Sequence, residues 1–107
     1  MPRIVRGALV QATLCEPATS PVEKIKRAMI DKHVAMIAQA ADRGADVVCL
    51  QELFYGPYFC AEQETKWYAL TEPIPGPTTK LMQQLAKKHN IVLVVPMYEE
   101  DLPGVYY

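Results

Sequence analysis

The chain has 107 residues, half of them hydrophobic, with a formal net charge of -1 and a pI near 6.1. That is enough for one small domain with a real core and too little for two. Its 11 Lys and Arg side chains are scattered rather than clustered, so the electrostatic footprint of a nucleic-acid binder is missing, and no apolar run approaches the roughly 20 residues of a membrane span.

Met1-Pro2-Arg3-Ile4-Val5-Arg6 runs straight into a strand-like segment and lacks the long apolar region of a signal peptide, so a cytoplasmic location is expected. Ile4 to Gln11 reads as the first strand and Thr13 to Thr19 as a loop. Ser20-Pro21-Val22-Glu23 then opens a helix, with Ser20 as N-cap, Pro21 at the first helical position and Glu23 completing a capping box. Ile25, Met29, Met36, Ile37 and Ala40 recur at helical spacing, with Lys24, Lys26, Arg27, Asp31 and Lys32 mostly on the opposite face. Gly44 tolerates positive φ and is a natural stop.

Asp46-Val47-Val48-Cys49-Leu50-Gln51 reads as a buried second strand. Phe54 to Pro77 is a long, proline-rich connection with a short helix within Glu62 to Leu70; such length in a small domain points to function or insertion. A second helix spans Thr78 to His89, and Ile91 to Val95 is a third buried strand whose end Pro96 weakens. Pro103-Gly104 reads as a turn, with Val105-Tyr106-Tyr107 opening another strand. Strand, helix, strand, helix, strand is the alternation of an α/β layered fold.

Glu52 is the most informative residue. It stands at the C-terminal end of the second strand, where α/β folds place ligands and catalytic groups. The aromatic stretch Leu53-Phe54-Tyr55-Gly56-Pro57-Tyr58-Phe59 after it could wall a pocket beside that carboxylate. The plainer alternative stays open: a strand-end carboxylate that caps a backbone amide or pairs with a lysine. Cys60 is a tempting nucleophile, but no His lies nearby in sequence to activate it, and a small apolar filler is the simpler role. Cys49, on the strand, is expected in the core, and Cys15 has no evident base. Three cysteines without a C-x-x-C pair, and His33 and His89 remote from all of them, form neither a disulfide framework nor a zinc signature. Neither histidine is expected to be catalytic, and no phosphate-binding glycine motif occurs.

Val48-Cys49-Leu50-Gln51-Glu52-Leu53-Phe54, with Gly56-Pro57-Tyr58-Phe59-Cys60 behind it, resembles the first catalytic segment of the nitrilase (carbon–nitrogen hydrolase) superfamily. Leu9-Val10-Gln11, Ala40-Ala41-Asp42-Arg43-Gly44-Ala45-Asp46, Ile74-Pro75-Gly76-Pro77-Thr78-Thr79 and Leu85-Ala86-Lys87-Lys88-His89-Asn90-Ile91 resemble the same family, so the likeness covers essentially the whole chain. The stretch around Glu52 is most similar to the branch that cleaves N-carbamoyl amines, β-ureidopropionase and N-carbamoylputrescine amidohydrolase.

The resemblance implies the N-terminal part of an α-β-β-α sandwich, residues 1–107 forming a partial domain. It also implies a Glu-Lys-Cys triad working through a thioester, without metal or cofactor. Glu52 matches the family's general base; Tyr58 and Phe59 are candidates to line the pocket near the carbamoyl group. The catalytic Lys and Cys have no counterpart in these residues, so the chain alone is expected to be inactive. Implied partners are a small N-carbamoyl amine or amide and further copies of the chain, with no nucleic acid or membrane. Two alternatives remain: a truncated, non-catalytic relative that serves as an interaction module, and a small ligand-binding α/β domain.

Overall fold

Three short runs of mostly small and β-branched residues pair into one parallel sheet: β1 (Gly7–Leu9), β2 (Val47–Cys49) and β3 (Val92–Val94), in the order β1-β2-β3. Ala8, Val48 and Leu93 lie side by side across it. The structure, a computed structural model, describes residues 3–107. Met1 and Pro2, the start of the segment read above as leaderless, lie outside the described residues.

Helix α1 (Val22–Asp42) joins β1 to β2, and α2 (Pro77–His89) precedes β3. Parallel strands need crossover connections, and these are almost always right-handed. Two such crossovers stepping the same way along a sheet put both helices on the same face. Burial agrees. Val10, Val48 and Leu50 are buried on the helix side, while Leu9 is 85% exposed, Val92 59% and Val94 46% on the other. The radius of gyration, 14.9 Å, exceeds the roughly 13 Å of a closed domain this size. This is an open layer pair with one sheet face uncovered.

The α1 stripe that meets the sheet is Ile25, Met29, His33 and Ile37, one residue every fourth position. The helix starts differently from the expectation. Pro21 is the N-cap, and no side chain caps the first turn. Ser20 lies one residue further out, in a turn closed by its N–H on the Pro17 carbonyl, so the Ser20–Glu23 capping box does not form. The far end behaves as read: Gly44 has φ +83° and its N–H reaches the Ala41 carbonyl.

Two lysines are not on the solvated face. Lys26 is half-buried against the long connection, and the Lys32 ammonium reaches the Thr13 carbonyl at 3.0 Å. Cys49 is only half-buried, because alternation turns it to the uncovered side of the sheet. The long connection holds two short 3-10 segments, Phe59–Ala61 and Thr65–Leu70, the second within the predicted helix. Beyond β3 the chain makes a hairpin of β4 (Glu100–Leu102) and β5 (Val105–Tyr106) around Pro103-Gly104. No described helix is long and apolar enough to cross a membrane.

Candidate active site

The C-terminal edge of the sheet is built by continuing the strand ladder. Val10 donates to the Cys49 carbonyl at 2.9 Å and Leu50 to the Val94 carbonyl at 3.0 Å. One residue on, the Gln51 side chain accepts the Ala12 N–H at 2.7 Å and ties the end of β2 to the chain leaving β1. Glu52 follows, and its side chain is exposed. Leu53 then adopts φ +53°, a left-handed conformation that costs a non-glycine residue roughly 1–2 kcal/mol and is held only where its surroundings over-determine it.

The surroundings do so through Phe54 and Tyr55, both fully buried. Phe54 meets the His33 ring edge-on at 5.0 Å and stacks on Tyr55 at 5.1 Å. The Tyr55 hydroxyl donates to the Tyr98 carbonyl at 3.2 Å. Glu52 is therefore an exposed carboxylate on a backbone pinned on both sides. Among the described residues its carboxylate makes no ion pair or hydrogen bond, so the strand-end cap and lysine pair considered above are not formed.

The aromatic stretch divides. Phe54 and Tyr55 are core anchors rather than pocket walls, since their rings are needed to hold the bend after Glu52. Tyr58 is 71% exposed, and Phe59 is half-buried against Tyr98 at 4.8 Å. Cys60 is exposed, Cys15 turns its sulfur toward the Ala28 carbonyl, and the Cys49 thiol faces the Leu50 carbonyl. None has an ion pair or imidazole to activate it among the described residues. No group of three His, Cys, Asp or Glu side chains that could hold a metal occurs among the described residues.

Sequence reasoning missed the most buried polar cluster. Glu72 and Lys26 form an ion pair at 2.7 Å, with side chains only 6% and 12% exposed. Glu72 also accepts the Thr78 N–H at 2.8 Å and a short bond from the Thr78 hydroxyl. Its carboxylate thus caps the first turn of α2, where the helix dipole favours negative charge. Burial pushes the Glu72 carboxyl up, but hydrogen bonds from Lys26 and Thr78 outweigh it and leave the group below its ordinary value. The Lys26 ammonium lies 4.7 Å from the Tyr55 ring centre. Burial and the Glu72 charge push the Tyr55 phenol up. The cluster links α1, α2 and the chain after Glu52. Its available signal was a carboxylate shortly before a Pro-initiated helix.

His33 supports the same bend from below. It is fully buried, its Nδ1 donates to the Met29 carbonyl at 2.7 Å, and its Nε2 has no partner. A carbonyl can only accept, so Nδ1 carries the proton. Burial lowers the tendency of this ring to take a second one, against the opposing pull of that bond.

An exposed carboxylate on a pinned backbone thus stands at the C-terminal edge of a helix-backed parallel sheet, the edge at which open α/β sheets place ligands. The sequence profile described as carbon–nitrogen hydrolase matches residues 7–107. The chain is 38% identical over 101 residues to a β-ureidopropionase of Arabidopsis thaliana, covering 94% of this chain and 25% of that protein. It is 32% identical over 99 residues to an N-carbamoylputrescine amidase of Solanum lycopersicum, covering 92% of this chain and 30% of the relative. The crystal structure of a carbon–nitrogen hydrolase from Helicobacter pylori G27 superposes with a TM-score of 0.80 at 23% identity, covering 96% of this chain and 33% of that one. The chain belongs to the carbon–nitrogen hydrolase family. It spans a quarter to a third of the length of these proteins.

Proposed function

We propose that these residues form the N-terminal part of a hydrolase of N-carbamoyl amines or linear amides, with Glu52 as its general base. The observation that carries this reading is the mount of Glu52. Its backbone is fixed by a strained, doubly anchored bend while the carboxylate itself is left free of partners among the described residues, which leaves it available for proton transfer at a defined place. The two relatives, one named for ureidopropionate and one for N-carbamoylputrescine, support the substrate class.

In this reading a cysteine thiol gives its proton to Glu52 and attacks the carbamoyl or amide carbon. A lysine ammonium stabilises the oxyanion, and the amine departs with the proton from Glu52. Water, deprotonated by Glu52, then releases the acid from the thioester. The family resemblance gives neither the catalytic thiol nor the oxyanion lysine a counterpart among these residues. The reading therefore assigns both the thiol and the oxyanion lysine to sequence outside these 107 residues. Tyr58, with its exposed ring, and Phe59 line the carbamoyl end of the pocket. The active form is an oligomer of this chain's parent.

The test is a chimera in which residues 7–107 replace the matching segment of the Arabidopsis β-ureidopropionase. Ammonia release from N-carbamoyl-β-alanine or N-carbamoylputrescine is expected. A chimera that folds, by circular dichroism and cooperative melting, yet turns over neither compound would overturn the reading.

A further inference from the structure

The 3-10 segments of the long connection enclose a hollow of about 270 Å3 that the hydrolase reading does not use. Its walls are Phe59, Trp67, Tyr68 and Tyr98, and its rim carries Glu62 and Glu64. The rings form a connected set. Phe59 lies 4.8 Å from Tyr98 and, nearly parallel, 6.5 Å from Trp67, while Tyr68 stacks on Tyr106 at 4.7 Å. Glu62 accepts the Trp67 indole N–H at 3.0 Å, which fixes the indole and leaves net negative charge at the rim. Glu64 is paired with Lys66 at 3.1 Å, and the Lys66 ammonium sits 4.6 Å from the Trp67 ring centre. Lys66 is not among the residues that line the hollow, so its contact with Trp67 leaves the hollow free.

Aromatic faces attract cations through their quadrupoles, and walls of Trp, Tyr and Phe with carboxylates at the mouth suit an organic ammonium better than an anion or a bare hydrocarbon. We propose that this hollow is a seat for an organic ammonium group, held against the Phe59, Tyr68 and Tyr98 rings with its charge toward the Glu62 and Glu64 carboxylates. Phe59 is the one residue it shares with the substrate pocket proposed above. Glu52 has no part in it, so the seat stands or falls independently of the hydrolase reading.

Trp67 is the only tryptophan of the chain, so its fluorescence reports this site alone. The 107-residue chain is titrated with choline chloride and with n-butylammonium chloride, against sodium chloride at equal ionic strength and the uncharged tert-butyl isostere of choline. Saturable change with either ammonium, and none with the isostere, is expected. Glu64→Gln removes one rim carboxylate at an exposed position and should weaken binding about two- to fivefold, the upper range of an exposed charge pair. Phe59→Leu removes a wall and should weaken it, with circular dichroism unchanged in both variants. A response no greater than that to sodium chloride, equal binding of the isostere, or an affinity unmoved by Glu64→Gln would each overturn the proposal.

Discussion

Replacing Glu72 by Gln keeps the size of the side chain and removes its charge, leaving the Lys26 ammonium buried with its partner gone. Breaking one side of a buried ion pair costs about 3–5 kcal/mol, since the remaining charge stays desolvated. Both side chains here are well under a third exposed, so solvent screening does not dilute that figure much. The amide can still accept the Thr78 N–H, which puts the expected loss near the lower end, about 3 kcal/mol, or roughly 12–24 °C in Tm for a domain of this size. Lys26→Met combined with Glu72→Met removes both charges and should cost less than the sum of the singles by about 2 kcal/mol or more.

The pair also sets an acid limit. The carboxyl of Glu72 lies below its ordinary value of 4.5 in the folded state, so its contribution is present above that value and lost as pH falls through the folded one. Glu72→Gln should flatten this acid-side slope. Urea unfolding of the chain at micromolar concentration, followed by Trp67 fluorescence across pH, measures all of these. A Glu72→Gln loss below about 1 kcal/mol, the scale of a surface pair, or strict additivity in the double variant would refute the argument.

Three further outcomes are expected. His33 is held neutral by burial, so its folded value is depressed and its contribution weakens as pH drops below about 6.5; His33→Phe should remove that slope in the same urea series. Gly76→Ala would drive a methyl group into the Pro73 carbonyl, a backbone atom that cannot swing away, and should lower the melting temperature well beyond the usual surface substitution. The uncovered sheet face, with Leu9, Val92 and Val94 exposed, should make the isolated chain bind a hydrophobic dye and self-associate; Leu9→Lys with Val94→Lys should reduce both by light scattering and dye fluorescence.

Local signals carried much of the architecture. The body of α1, the Gly44 stop and the existence of α2 and β2 are short-range features that periodicity and turn chemistry found, though α2 starts one residue earlier than expected, at Pro77, and β2 is shorter, Val47–Cys49. Failures came where a distant residue decides. Lys26 belongs to the polar face by type, yet Glu72 draws it into the interior. His33 continues the every-fourth-residue stripe of Ile25, Met29 and Ile37, so its burial was legible in spacing that residue type overruled. The capping box failed by one residue, because Pro21 took the cap itself. Cys49 alternates correctly, but which sheet face is covered depends on crossover handedness, which no single strand records. The position of Glu52 was readable; the anchoring of its flanking backbone by Gln51, Phe54 and Tyr55 was not.

The role of that carboxylate is tested most directly by Glu52→Gln in the Arabidopsis β-ureidopropionase chimera, read as single-turnover ammonia release from N-carbamoyl-β-alanine. The substitution sits at an exposed side chain, so folding and Tm should match the parent chimera. Turnover should fall by about a hundredfold or more, the scale of a lost general base. A Glu52→Gln chimera that keeps the parent rate would contradict the account.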